Sequence, residues 1–300
     1  MSLTVIVLTY NEEKHLKRCL QSFQNIADRI IVVDSFSEDE TQEIAEQYGA
    51  DFFQNPFVNQ AVQFQWALDN IKISTDWVMR MDADEYILPA LEQEMSKKLP
   101  TLSKDTTGIV LKRRVFFMGK WIKRGGYYPV KLLRIWRNGF GSIEQKWMDE
   151  HIKISEGNTV EFEYDIVDDN LNNLTWWIRK HNNYSTREVV DILNKKYNFF
   201  EGSEIGKQLN SQNQNEQKRW YKDNLYLRAP KFLRAFLYFI FRYIFLLGFL
   251  DGKRGLIWHF LQGFWYRFLT DAKIFQIERL ALEKNKTVKE ILEDDYNFKL

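Results

Sequence analysis

Three hundred residues suffice for one large domain or two smaller ones, and a formal net charge of +1 gives no bulk attraction to nucleic acid. The chain is 45% hydrophobic and 28% charged, which excludes the weakly apolar, highly charged signature of disorder. A single cysteine, Cys19, rules out an intrachain disulfide and fits a reducing compartment. The N-terminus opens on a strand-like run without a basic region or small-residue cleavage site, so no export signal is expected there.

Leu3 to Leu8 is a short apolar run rich in β-branched residues, the pattern of a strand buried on both faces. Asn11, as N-cap, and Glu12 and Glu13, in the first turn, predict a helix with Leu16, Cys19, Leu20 and Phe23 on its apolar side. Arg29 to Val33 predicts a second strand that ends at Asp34. Ser37 then caps a helix carrying Ile44, Ala45 and Tyr48, with Glu40 at its third position. Ala50 to Phe53 predicts a third strand and Asn59 to Asn70 a helix. Trp77 to Met81 predicts a fourth strand, closed by Asp82-Ala-Asp-Glu85. This strand–helix alternation implies right-handed crossovers and a mostly parallel sheet. Val110 to Phe117 and Lys131 to Trp136 alternate like strands of its mixed part, and Ile152 to Ile154 is a further short strand.

Ligands of such sheets bind beyond the carboxyl ends of the strands. Thr9, Tyr10, Asn11 and Glu12 follow the first strand, Asp34 and Ser35 the second, and Asp82 and Asp84 the fourth, so the three groups share one rim. The loop side chains suit stacking on and hydrogen bonding to a nucleotide, and Asp34 is free to accept from a base or ribose. Asp82 and Asp84 are oxygen ligands for a hard cation such as Mg²⁺ or Mn²⁺, which shares its ligands with substrate phosphates. Each feature also has a plain structural reading, as a cap, a turn or a loop. No glycine-rich dinucleotide fingerprint, phosphate-cradling loop or zinc-spaced Cys/His cluster is present.

Val5-Ile-Val-Leu-Thr-Tyr-Asn-Glu12, Ile31-Val-Val-Asp-Ser-Phe-Ser-Glu-Asp-Glu-Thr41 and Met81-Asp-Ala-Asp-Glu-Tyr86 together resemble glycosyltransferase family 2. Asn59 to Leu68 and Asp149-Glu-His151 point toward its lipopolysaccharide-core β-glucosyltransferases and related O-antigen and capsule enzymes. The resemblance implies an α/β chain with the GT-A (nucleotide-diphospho-sugar transferase) fold: a mixed sheet flanked by helices over 1–200, followed by a helical membrane-facing appendage over 201–300. It implies an inverting transfer of a hexose from a nucleotide sugar, UDP-linked in most relatives, to a lipid-linked saccharide. Thr9, Tyr10, Asn11, Glu12, Asp34 and Asp82 would contact the nucleotide, with Gln65 near the diphosphate. Asp84, with Asp82, would hold the metal. Glu150, or Asp149 beside it, would take the acceptor proton, though both could equally belong to an exposed turn. The setting it implies is cytoplasmic, on the inner face of the cytoplasmic membrane.

The middle of the chain carries Lys112, Arg113, Arg114, Lys120, Lys123, Arg124, Lys131, Arg134 and Arg137, which serve as phosphate contacts or as solvated charges. Lys180-His181 follows Trp176-Trp177 on a predicted helix, as a phosphate contact or a structural pair. Glu201 to Asn224 is polar, with Asn and Gln between 208 and 214. Pro230 then opens a predicted helix through Leu250, with Gly252 just past its end, and a second aromatic stretch runs from Leu256 to Leu269. Arg234 and Arg242 interrupt the first stretch, which argues against a span. Between 228 and 273 eight Lys/Arg stand against two Asp, a balance that suits an anionic membrane surface. Packing on the catalytic domain, a homodimer contact and a true span are the alternatives. Two competing functions also remain: a nucleotidyltransferase, although Thr9 to Glu12 lacks the glycine-rich basic loop it needs, and a non-catalytic membrane-associated nucleotide-binding protein.

Overall fold

The computed structural model describes residues 1–144, 151–199, 226 and 228–296. Within these, the chain divides into two compact units, 1–172 and 173–300. The division falls at 172/173 and not at the 200/201 read from the sequence. The long helix α5 (Leu174–Tyr197) buries Val189, Val190 and Leu193 against Ile274, Ile277, Ile291 and Leu292, which fixes it in the second unit.

The first unit is built on a mixed sheet. Its strands are β1 (Leu3–Thr9), β2 (Arg29–Asp34), β3 (Asp51–Gln54), β4 (Trp77–Asp82), β5 (Glu85–Ile87), β6 (Thr106–Phe117), β7 (Lys120–Ile122), β8 (Val130–Arg137) and β11 (Asn158–Asp169). They lie in the order β3-β2-β1-β4-β8-β6-β11-β5, with β7 paired to β6. The first four are parallel, β8 runs against β4 and β6, and β11 runs parallel to β6. β9 (Gly141–Ile143) and β10 (Ile152–Ile154) form a separate pair.

Side-chain alternation along β1 sends Leu3, Val5 and Val7 to one face and Ile6 to the other. The first face packs α1 (Leu16–Phe23), through Leu16, Cys19, Leu20 and Phe23, together with α2 (Thr41–Gln47) and α4 (Pro89–Lys98). The opposite face packs α3 (Gln60–Asn70) through Ala61, Phe64 and Ala67. Both faces are covered, which is why the parallel strands are continuous apolar runs. Asn59, read from the sequence as the first helical residue, instead caps α3, accepting from the Val62 amide at 2.8 Å.

In the second unit, the run from Pro230 is not one helix to Leu250. Helix α6 (Leu233–Ile240) continues in a wider turn through Phe245 and breaks at Leu246–Leu247, where Leu247 takes φ +58°. A short turn leads to α7 (Gly252–Trp258), so Gly252 opens the next arm instead of closing the first. Wider turns over His259–Trp265 then join it to α8 (Tyr266–Lys284), and α9 (Val288–Tyr296) follows. Among the described residues no single helix is long and apolar enough to cross a membrane, although the bent pair Leu233–Phe245 and Gly248–Lys284, at 70°, could by length and composition.

Candidate active site

Parallel pairing aligns Thr9 with Asp34 and Leu8 with Asp82, so β2, β1 and β4 end at one edge. Strands lie about 4.8 Å apart, which puts the backbones of Asp34 and Asp82 roughly 10 Å apart. The carboxyl end of β11 reaches the same edge, because Asp168 stands opposite Glu85 of β5.

The loops after β1 and β2 are laced together by side chains. Thr9 Oγ1 donates to Asp34 Oδ1 at 2.8 Å, Ser37 Oγ to the same oxygen at 2.5 Å, and the Ser37 amide to Oδ2 at 2.7 Å. Asn11, at φ +54°, accepts from the Glu38 amide at 2.9 Å, and its own amide donates to Ser37 Oγ at 2.8 Å. Asn11 is therefore not the N-cap of α1, and Ser37 does not cap α2. Both residues hold loop to loop, and Asp39 takes the Thr41 amide at 3.1 Å where α2 begins. Asp34 is not the free acceptor that the sequence suggested. It is fully buried and anchors the loops, with three of about four carboxylate acceptor positions filled. Thr9 is buried with it, whereas Tyr10 is 58% exposed and Phe36, also at positive φ, is 51% exposed. These two rings stand on the laced loops where a flat base could stack.

Asp82-Ala-Asp84 forms the turn between β4 and β5, with Ala83 buried. The two carboxylates have different surroundings. Asp82 Oδ2 accepts from Arg134 Nη2 at 3.0 Å, and Arg80 Nη2 lies 3.5 Å from Oδ1. Against the penalty of burial, Arg134 and Arg80 hold Asp82 well below the usual carboxylate range. Its charge is already matched by guanidinium groups, which makes it a poor partner for Asp84 on a cation. Glu85 is buried 2.5 Å from the same Arg134 Nη2. Burial pushes Glu85 up to about 7 despite Arg134, and the negative charge of Asp82 adds to the rise. Arg113 completes this network, 3.7 Å from Glu85 and 3.4 Å from Asp168. Arg134 is thus a structural cation, as are Arg114 against Asp165, Lys131 against Glu161 and Arg137 against the Thr106 carbonyl.

Asp84 is half-buried. Asn170 Nδ2 donates to its Oδ2 at 3.0 Å, and the Asp169 amide donates to its carbonyl at 3.1 Å. Its Oδ1 has no partner among the described residues. The same 169–172 loop holds the first strand's loop. The Leu171 amide donates to His15 Nε2 at 2.8 Å, so Nδ1 carries the imidazole proton and donates to Glu12 Oε2 at 2.6 Å. Arg18 donates to Asp169 Oδ2 at 2.8 Å and lies 4.5 Å from the Tyr86 ring centre. One short loop therefore orients both Glu12 and Asp84. His15, Arg18, Asp169 and Asn170 escaped the sequence reading because β11 was not recognised. The alternation of Val160, Phe162, Tyr164 and Ile166 was the available signal.

Gln65 is engaged by Asp69, at 2.8 Å, and by the Ile143 amide, at 3.2 Å. Asp149 and Glu150 lie outside the described residues. No group of three His, Cys, Asp or Glu that could hold a metal ion occurs among the described residues. A cation at this edge would rest on Asp84 and on oxygens brought by its ligand. If Asn170 orients Asp84 for such a cation, Asn170→Ala is expected to weaken Mn²⁺ activation about 10–100-fold, with activity recovering at saturating metal. A Mn²⁺ titration of the rate checks this.

The family model of glycosyl transferase family 2 matches residues 4–170, which takes in the whole strand-end edge. The chain belongs to this family. The mixed sheet flanked by helices, with its helical C-terminal region, is the GT-A arrangement that the three motifs implied. Among the relatives of this family 2 protein is the lipopolysaccharide core biosynthesis glycosyltransferase LpsC of Rhizobium meliloti, 27% identical over 95% of this chain and 96% of that protein. An uncharacterised glycosyltransferase of Rickettsia typhi is 27% identical over 95% of this chain and 90% of its own length. Among solved structures, glucosyl-3-phosphoglycerate synthase from Mycobacterium tuberculosis, in complex with Mn²⁺, UDP and glucosyl-3-phosphoglycerate, matches with a TM-score of 0.31 at 21% identity. That match covers 38% of this chain and 44% of the synthase.

His181, left open as a phosphate contact, has a structural setting in the second unit. Its ring stacks on Trp177 at 3.5 Å, and its Nδ1 lies 2.9 Å from the Trp177 carbonyl. Burial holds its pKa down at about 4.

Proposed function

We propose that this family 2 enzyme moves a hexose from a uridine diphosphate sugar to a lipid-linked saccharide during bacterial surface polysaccharide synthesis, working from the cytoplasmic side of the membrane. The observation that carries the reading is the strand-end edge. Three neighbouring parallel strands end in register, so the loops bearing the exposed rings of Tyr10 and Phe36 leave the same edge as Asp84, which Asn170 holds and whose Oδ1 has no partner among the described residues. Likeness to LpsC over nearly the full length of both chains supports a saccharide acceptor of the lipopolysaccharide-core type.

In this reading Tyr10 and Phe36 stack on the base. Asp34, buried and filled by Thr9 and Ser37, holds the loops that carry them. A divalent ion, Mg²⁺ or Mn²⁺, between Asp84 and the diphosphate would neutralise the charge that grows on the leaving group. One protein carboxylate suits such ions, which keep water and substrate phosphate among their ligands. Arg134, Arg80 and Arg113 keep the Asp82 turn rigid, so Asp84 does not have to be ordered during the reaction. The acceptor proton is assigned to Glu150, with Asp149 as the alternative, and a single in-line displacement then inverts the anomeric centre.

The test is UDP release from a panel of UDP-hexoses, with and without bacterial lipid extract. Release from one donor that depends on the extract is the expected result. Absence of turnover with every donor, combined with UDP binding, would favour a non-catalytic nucleotide-binding protein.

A further inference from the structure

The bend between the arms of the second unit presents an unusual surface. Phe241, Ile244, Phe245, Leu246, Leu247, Phe249 and Leu250 are all exposed, with Phe245 at 70%. Soluble surfaces rarely carry so continuous an apolar patch without a partner. The bend is also built, not frayed. Gly248 lies against the His259 ring, where a Cβ would come within 2.5 Å of Nε2. Gly255 lies against Asp251, where a Cβ would fall 2.4 Å from the Asp251 Cβ. Below the bend, Arg234 pairs in two-pronged fashion with Asp271, both buried, and Asp271 also accepts from the Phe232 amide at 2.8 Å.

These pairings change the meaning of the basic residues. Arg234 does not interrupt an apolar surface, because it is internal. Lys231 is held by Glu278, Arg267 by Glu188, and Lys273 by Asn182, Ser185 and Thr186. Asp251 and Asp271 are both buried. The exposed charge next to the bend is therefore positive: Lys253 and Arg254 follow Leu250 by three and four residues.

We propose that the 241–250 bend inserts as a shallow wedge into the headgroup–acyl boundary of an anionic bilayer, with Lys253 and Arg254 on the lipid phosphates. Ten residues are too few to span, while apolar contact and cationic attraction together suit interfacial insertion. Anionic charge complementarity favours lipid over a second copy of the chain, whose own bend would bring the same cations together. Residues 200–225, rich in Asn, Gln and Glu, are poorly matched to an apolar cover. The inference rests on the membrane-surface reading above, so it is tested without donor or acceptor.

Phe245→Cys carries an environment-sensitive fluorophore, and Leu282→Cys, at an 84% exposed position outside the bend, serves as the control; Cys19 is buried. With vesicles of phosphatidylglycerol and phosphatidylethanolamine, the label at 245 is expected to shift to the blue while the label at 282 does not. Phe245→Glu with Leu250→Glu should lower vesicle partition at least tenfold without changing UDP affinity. Lys253→Glu with Arg254→Glu should lower it on anionic vesicles and leave neutral ones unchanged. Vesicle binding with a silent label at 245 would overturn the wedge and leave membrane attachment standing. No vesicle binding, or a dimer that the Glu variants dissolve, would overturn both.

Discussion

Asp84→Asn is expected to lower the rate of sugar transfer by about 10²–10³-fold, or roughly 2.7–4 kcal/mol of transition-state stabilisation. The substitution is nearly isosteric, and the amide oxygen of Asn can still accept from Asn170, which now meets Asp84 Oδ2 at 3.0 Å. What disappears is the negative charge that a hard cation requires. The loss should therefore appear in kcat and in Mn²⁺ dependence, while urea stability stays close to wild type because the residue is only half-buried. A metal titration of initial rates, run beside a denaturation curve, separates the two. An unchanged rate would remove Asp84 from the chemistry.

Arg134→Met is expected to cost about 3–5 kcal/mol of stability, because it leaves the buried Glu85 and the partly buried Asp82 only the more distant Arg113 and Arg80, at 3.7 and 3.5 Å. Arg134 Nη2 sits 2.5 Å from Glu85 and 3.0 Å from Asp82. The pH dependence has a definite sign. Glu85 is raised to about 7 in the folded protein from an ordinary 4.5, so the native state binds the extra proton between those values. Stability from this group therefore falls as pH rises from 4.5 to 7. Removing Arg134 raises the group further and extends the decline upward, so the variant's deficit should be larger at pH 8 than at pH 6. Urea midpoints at the two pH values measure it. Adding Glu85→Gln should recover part of the loss at pH 8, and failure to do so would show that Arg134 acts through packing instead of charge.

The parallel strands were legible because each is a continuous apolar run covered on both faces. Leu3–Thr9 and Arg29–Asp34 are buried along nearly their whole length. The rim followed from strand polarity alone, since parallel neighbours must end on one side. The roles of the rim's side chains were less legible. Asn11 and Ser37 look like helix caps because local spacing is all that a sequence window shows. In the fold they bond to residues 26 and 27 positions away. Asp34 looked like a ligand contact and proved to be a buried anchor for the same reason. Asp82 and Asp84 are alike in sequence, and only the antiparallel return of β8, which brings Arg134 alongside, tells them apart. In the second unit, Arg234 and Arg242 argued against a span from sequence, and only the fold shows that Arg234 is turned inward onto Asp271, 37 residues on.

One nucleoside diphosphate and one divalent ion are proposed to share the edge formed by the Thr9, Asp34 and Asp84 strand ends. Calorimetric titration of UDP into the wild-type chain and into Asp84→Ala, each with and without Mn²⁺, tests it most directly. Metal should tighten UDP binding to the wild type at least tenfold and leave the variant's affinity unchanged. Equal metal enhancement in both proteins would place the cation elsewhere and contradict the claim.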